Sequence, residues 1–317
     1  MTDGQWLVSA RTERTLAGLD RRIEAAVASA DVGLRTMAVT LARRGGKRLR
    51  PALLLLSAEF GAFRAEPLLD AAAALEMFHL ASLYHDDVMD RAPTRRHGPS
   101  VNALWGEPAA VVAGTFLVSQ ATRLLAGLPD ACGRAAAGAM VRLCSGQLLE
   151  TESAFDTGLT EGAHLDILRR KTATLFELPC RLGALLAEVP EEQAEALARY
   201  GAELGLAFQL ADDALDLRGS AASMGKQPLN DLREGVYTLP VLRLLGRDER
   251  LRTLLAEIEP DPAQVAGRVL ASGVVEEVLE EAGTLARDAR DRLGVLPGNA
   301  ARDSLALLAS YAVARAA

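Results

Sequence analysis

Apolar residues return every three to four positions along almost every segment of the chain, as in Leu53, Leu56 and Phe60 or Leu197, Tyr200 and Leu204. Period-two alternation of β-branched residues is hard to find. A 3.6-residue period paints one apolar stripe on a helix, so a chain patterned this way buries its apolar surface by packing helix on helix. Composition points the same way: half the residues are hydrophobic, yet only 4% are aromatic, and much of the rest is Ala and Leu, both strong helix formers. The predicted fold class is all-α.

Breakers at Gly45-Gly46, Pro67, Pro93, Gly98-Pro99, Pro108, Pro129, Gly158, Pro190, Gly219, Pro260 to Pro262 and Pro297-Gly298 delimit roughly a dozen helices. No Ser/Gly linker, charge block or fixed-period repeat divides the chain, which predicts one domain over residues 1–317. The longest irregular stretch is Ser220 to Gly235. Long loops inside a compact fold are more often functional than idle.

Several function classes drop out early. With 35 Lys and Arg against 42 Asp and Glu, the net charge is −7 and the pI near 5.3, the wrong sign for a nucleic-acid binder. Cys132, Cys144 and Cys180 show neither CxxC nor Cys/His metal spacing and read as a reduced thiol set without a function. The N-terminal MTDGQWLVSARTER lacks the pattern of a signal peptide. The longest uncharged run, Pro108 to Thr122, is short of the roughly 20 residues that cross a bilayer. A cytoplasmic protein without a membrane span is expected.

Two segments carry the same constellation: Asp86-Asp87-Val88-Met89-Asp90 and Asp212-Asp213-Ala214-Leu215-Asp216, each ending an apolar helical run. On a helix Asp86 and Asp90 share a face about 6 Å apart, and like charges so placed destabilise it unless a cation compensates. A single DDxxD reads equally well as a solvated acidic face. Two are much harder to dismiss. Oxygen-only clusters suit a hard ion such as Mg²⁺, which shares its coordination sphere with substrate phosphates, so two facing motifs would hold a diphosphate.

Cations that could answer them come in short clusters: Lys47, Arg48 and Arg50 after Gly45-Gly46, then Arg95-Arg96, Lys171 and Lys226. Arg offers a fork for phosphate and Lys a point charge. Taken singly, each is more often a plain surface charge. His79, seven residues before Asp86, falls on nearly the same helix face; His85, His97 and His164 have weaker claims.

In order and spacing, GGKRLRP, HLASLYHDDVMD, TRR, KTA, FQLADDALD and GKQPLNDLREGVYTLP resemble the trans-isoprenyl diphosphate synthases, or polyprenyl synthetases. The resemblance runs from about Gly45 to Pro240, and the helical pattern on both sides fits the family's length. It implies an all-α bundle of the isoprenoid synthase type, with both Asp motifs facing each other across a deep central cavity and usually a homodimer. By the same resemblance, Asp86, Asp90 and Asp212 are the main ligands of about three Mg²⁺ ions, supported by Asp87, Asp213 and Asp216. Lys47, Arg50, His79 and Arg96 match the isopentenyl diphosphate site. Arg95, Lys171, Thr172, Gln209 and Lys226 match the allylic diphosphate site. Three positions depart from the pattern: Val236 where the family often has Lys, Thr115 where it has Asp, and Leu229 where it has Gly. Losing the Lys removes one phosphate contact and predicts a looser hold on the allylic substrate, with catalysis retained.

The implied reaction is ionisation of an allylic diphosphate, attack by the isopentenyl double bond, and proton loss to the departed diphosphate. Catalytic weight falls on Asp86, Asp90, Arg95, Lys171 and Asp212, which stabilise leaving-group charge. Water must be kept from the cation. A helical turn rises 5.4 Å, close to one isoprene unit, so positions before Asp86 act as rungs beside the growing chain. Ala81 and Ser82 form a small first rung, and Met77 and Phe78 a second that could be a floor. The expected product is longer than farnesyl diphosphate, with transient membrane contact for its release.

Alternatives are a short-chain geranylgeranyl or farnesyl diphosphate synthase, a non-catalytic regulatory subunit of a prenyl synthase, and a class I terpene cyclase. Intact Asp in both motifs weighs against the regulatory subunit. A second DDxxD in place of an NSE-type motif weighs against the cyclase.

Overall fold

The computed structural model describes residues 6–28, 30–218, 229–256 and 261–314. Helices run in the order α1 (Ala10–Leu16), α2 (Leu19–Val27), α3 (Val32–Arg43), α4 (Leu49–Ala58), α5 (Ala65–Met89), α6 (Val101–Trp105), α7 (Glu107–Leu125), α8 (Asp130–Glu152), α9 (Glu161–Leu168), α10 (Thr174–Leu186) and α11 (Glu191–Arg218). They continue as α12 (Asn230–Arg233), α13 (Leu239–Leu245), α14 (Glu249–Leu255), α15 (Pro262–Ala271), α16 (Val274–Arg292) and α17 (Ala300–Ala314). Among the described residues the only sheet is a two-residue hairpin, β1 (Thr94–Arg95) with β2 (Gly98–Pro99). The all-α expectation holds. The described residues hold more helices than the dozen expected, because the stretch before Gly45 divides into three and residues 230–271 break into four short ones.

Helix α5 is the axis of the bundle. Its run Ala71–Leu75 is buried on every side, as befits a helix apolar all round. It lies along α7, while α10 is packed between α4 and α11, and α11 runs along α16. The main core gathers Leu53–Leu56, Leu75, Phe78, Leu117, Phe176 and Tyr200. A smaller core at the far end joins α11 to α12–α15 through Leu217, Tyr237, Val241 and Val269.

Helix α7 is longer than the uncharged run inside it and is, by length and composition, apolar enough to cross a membrane. Its stripe Ala110, Ala113, Gly114, Leu117, Ala121 is buried on one side, whereas Val111, Val112, Thr115 and Ser119 are exposed on the other. On α8, Ala137, Val141, Cys144 and Leu148 make a second exposed stripe at helical spacing. All three cysteines are free thiols.

Between α9 and α10 the helix does not stop. It widens into one π turn over Arg169–Ala173, the arrangement by which a helix re-aims side chains at a functional site. The turn packs on α8 at Gly146, where a Cβ would fall 2.6 Å from the Lys171 amide nitrogen; only glycine lets the two backbones come this close.

Candidate active site

The two Asp motifs end the long helices as expected: Asp86, Asp87 and Asp90 close α5, and Asp212, Asp213 and Asp216 lie near the end of α11. Each triad buries its middle carboxylate. Asp86 and Asp90 are partly open, as is Asp212, while the middle carboxylates Asp87 and Asp213 are turned inward and buried. Asp216, at the last turn, is also largely covered. Asp87 takes the guanidinium of Arg95, whose Nη2 and Nε lie 2.5 and 2.6 Å from Oδ1. Asn102 donates to the Asp87 carbonyl at 3.1 Å and to that of Ala92 at 3.2 Å, fixing the chain as it leaves α5.

The π turn links the two motifs. Lys171 is held by Glu150 of α8; burial pulls its pKa down, but Glu150 first and then Asp86 and Asp90 outweigh it and hold the ammonium above its ordinary value. The next residue reaches the other way: Thr172 Oγ1 donates to Gln209 Oε1 at 3.0 Å, and Gln209 Nε2 donates to Asp213 Oδ1 at 2.8 Å. Adjacent residues on one widened turn thus serve opposite motifs.

A second set of cations gathers around a buried carboxylate. Glu76, 2% exposed on α5, takes Arg48 at 2.5 Å and faces Arg96 at 3.9 Å. Arg96 also donates to the carbonyls of Leu41 and Gly45, so its guanidinium lies against the glycine turn. Arg50 stacks over Phe176, 5.1 Å from the ring centroid, and burial lowers its pKa to about 10, which leaves it charged at neutral pH. Burial first, then the charges of Arg50, Arg96, Arg95 and Arg48, hold His79 well below the ordinary imidazole range. It is therefore neutral. Lys47 is exposed, and its ammonium lies 5.2 Å from the centre of the Tyr311 ring on α17.

Of the residues expected here, Arg50, His79 and Arg96 come together, Lys47 sits at the rim, and Arg95 reaches the first motif. Thr172 and Gln209 meet at the π turn, where Lys171 turns to Glu150. Lys226 lies outside the described residues. Leu229 has φ 60°, in the left-handed region; glycine adopts this conformation freely, which gives a physical reason for a glycine there in the resembled pattern. Val236 caps α12 with a backbone hydrogen bond to Asp231 at 2.8 Å, and the Thr115 hydroxyl donates to Val111 O at 2.9 Å on the exposed face of α7.

The first rung divides. Ser82 shares the partly open stripe of His79 and Asp86, whereas Ala81 and Phe78 are buried on the stripe of His85, whose ring packs on Gly114 of α7. Met77 is fully buried. Sequence reasoning missed Glu76, Glu150 and the role of Arg48. A lone glutamate in AAAALEMFHL was the one available signal: a carboxylate in an apolar helical run needs a cation.

No three His, Cys, Asp or Glu side chains among the described residues close into a ready cage for an ion. The fit is to a different kind of site. Partly exposed carboxylates at Asp86, Asp90 and Asp212 suit Mg²⁺, a hard ion that takes oxygen ligands and completes its sphere with phosphate and water.

Residues 32–270 match the sequence profile of the family described as polyprenyl synthetase. The chain is similar to the nonaprenyl diphosphate synthase of Mycobacterium tuberculosis, at 36% identity over 325 residues that cover 98% of this chain and 96% of that protein. It is similar at 35% identity to heptaprenyl diphosphate synthase component 2 of Geobacillus stearothermophilus, covering 93% of this chain and 94% of that one. The crystal structure of a polyprenyl synthase from Caulobacter crescentus, complexed with calcium and isoprenyl diphosphate, superposes with a TM-score of 0.93 at 34% identity over the whole of both chains. A helical bundle with paired Asp motifs and this ancestry defines the class, and the chain belongs to the polyprenyl synthetase family. It is a prenyltransferase that elongates all-trans prenyl chains.

Proposed function

We propose that the chain condenses isopentenyl diphosphate with an allylic diphosphate and makes a medium or long polyprenyl diphosphate, longer than farnesyl. One observation carries the reading: neighbours on the π turn serve the site from one place, Thr172 through its bond to the Gln209–Asp213 pair and Lys171, held by Glu150, as a cation in the field of Asp86 and Asp90. A diphosphate between the motifs then meets open carboxylates from both sides and the Lys171 ammonium.

Asp86, Asp90 and Asp212 would hold about three Mg²⁺ ions with the diphosphate, and Asp216 would close the last turn. Bound Mg²⁺ supplies neutralisation of leaving-group charge. Arg95, fixed by Asp87, and Lys171, released from Glu150 onto phosphate, add positive charge where the leaving group develops it. Arg50, Arg96 and neutral His79 orient the second diphosphate, and Lys47 closes its rim. No side-chain nucleophile is needed, and the departing diphosphate accepts the proton.

Small Ala81 and Ser82 support a product beyond farnesyl, as does similarity to enzymes named for nonaprenyl and heptaprenyl products. The exposed apolar stripes of α7 and α8 support a homodimer, because a helix face of this kind calls for a cover. Free, widely spaced thiols support a reducing, cytoplasmic setting.

The test is the purified chain with Mg²⁺, isopentenyl diphosphate and each allylic primer in turn, products dephosphorylated and sized. Products beyond geranylgeraniol are expected. Products that stop at farnesol or geranylgeraniol would move the chain to the short-chain reading. Activity that appears only with a second, different subunit would replace the homodimer with a heteromer, as the name "component 2" of the Geobacillus relative suggests for that protein.

A further inference from the structure

The middle carboxylates of the two motifs each bind through Oδ1 and leave Oδ2 buried outside any hydrogen bond, but their surroundings differ. Asp87 lies against the Arg95 guanidinium at 2.5 Å. Asp213 takes Gln209 on Oδ1 at 2.8 Å, but its Oδ2 is buried and accepts no hydrogen bond. His164 of α9, 3% exposed, points its Nε2 at this oxygen from 3.8 Å, and that nitrogen is buried and unpartnered as well. Two complementary orphan atoms in one buried pocket are rare, because each forgoes the hydrogen bonds it had with water. At 3.8 Å the contact is not a hydrogen bond, and a shift of about 1 Å would make it one.

We propose that His164 is a positioning residue of the second Asp motif. With a diphosphate held at Asp212, the His164 Nε2–H would donate to Asp213 Oδ2 after a side-chain shift of about 1 Å. The contact gives Asp213 a second partner, on the oxygen that Gln209 does not reach. It fixes the line from His164 through Asp213 and Gln209 to Thr172, and so holds the π turn against the leaving group. The neutral tautomer with the proton on Nε2 suffices, and no change of charge enters. The inference rests on the site proposed above.

The experiment uses Mg²⁺ with inorganic pyrophosphate as the probe, titrated calorimetrically into wild type, Asp212→Ala, His164→Phe and His164→Gln, alongside steady-state kinetics. His164→Phe keeps the bulk and removes the donor; it is expected to weaken Mg-pyrophosphate binding and raise KM for the allylic substrate about tenfold, with KM for isopentenyl diphosphate unchanged. His164→Gln, which keeps a donor, is expected to stay within about threefold of wild type. Equal behaviour of the Phe and Gln variants, or a Phe variant that binds like wild type, overturns the role of His164. Wild type that fails to bind the probe, or Asp212→Ala that binds it normally, overturns the site reading instead. A reading on the unmodified protein covers variants that do not fold: in ¹⁵N-histidine spectra the His164 Nε2–H is expected to move downfield and exchange more slowly when the probe is added, and an unchanged signal overturns the proposal.

Discussion

Glu76 lies 3.9 Å from Arg96 and in direct contact with Arg48, almost wholly shielded from solvent. Arg50 feels the same carboxylate. One buried anion therefore keeps a group of arginines together where no substrate is present, and their mutual repulsion would otherwise open the glycine turn that presents them.

Replacing Glu76 by Gln keeps the shape and removes the charge. Breaking a buried ion pair on one side costs about 3 kcal/mol, because the other side stays buried and uncompensated. The midpoint of urea unfolding is expected to fall accordingly. KM for isopentenyl diphosphate should rise more than kcat falls, because the cations are displaced rather than lost. A variant with wild-type stability and KM would mean that the carboxylate organises nothing.

His79 gives the chain a pH dependence of known sign. Its folded pKa lies well below the ordinary value, so as pH falls the unfolded chain takes up a proton first. The contribution to stability is full above about pH 6.5 and declines as pH drops from there toward the folded value. Thermal midpoints measured between about pH 7.5 and 5.5 should fall in wild type and fall less steeply in His79→Gln. Parallel curves would place His79 outside this linkage.

Much of this was legible in the sequence. The all-α architecture follows from a 3.6 period with few competing signals, and both Asp motifs, with Arg95, Lys171 and Gln209, stand in a linear pattern. What was not legible depends on partners far along the chain. Glu76 acquires its meaning from Arg48, 28 positions away, Lys171 from Glu150, 21 away, and Thr172 from Gln209, 37 away. The π turn over Arg169–Ala173 packs against α8 at Gly146, a contact between positions too far apart for helical periodicity to show. Helical spacing treats Asp86, Asp87 and Asp90 as one acidic face, but burial separates the middle carboxylate from the outer pair. The departure at Leu229 was visible as a letter; that the backbone there remains left-handed was not.

The close approach at Gly146 makes a sharp test of the π turn. A methyl group there would fall 2.6 Å from the Lys171 amide nitrogen and 2.9 Å from Arg170 Cβ, so the turn must move. Displacement of catalytic groups by about 1 Å can cost a factor of about 100. Gly146→Ala is expected to lower kcat by about that factor with its helical circular dichroism intact. A fully active Gly146→Ala would show that the turn does not position Lys171 and Thr172.

The exposed stripes of α7 and α8 make the dimer proposal testable without touching the site. Val112 is 56% exposed and Val141 70%, so a charge at either is harmless in a monomer and buried in a dimer. Val112→Arg with Val141→Glu is expected to shift the sedimenting species from dimer toward monomer while helical content stays the same. A dimer of undiminished stability would place the interface elsewhere.

The divided first rung predicts two different costs for one outcome. Ser82 shares the partly open face that carries His79 and Asp86, so a Phe there adds bulk on the motif's own face and is expected to shorten the product. Ala81 is 1% exposed on the stripe of Phe78 and His85, against α7, and a Phe there must first displace packed neighbours, at about 1–3 kcal/mol. Both variants are expected to give shorter prenyl alcohols after dephosphorylation, with a lower thermal midpoint for Ala81→Phe than for Ser82→Phe. If only Ala81→Phe shortens the product, the chain grows along the α5–α7 seam and Ser82 lies off its path. If neither does, product length is set below these positions, where buried Met77 and Phe78 are the next side chains on the helix.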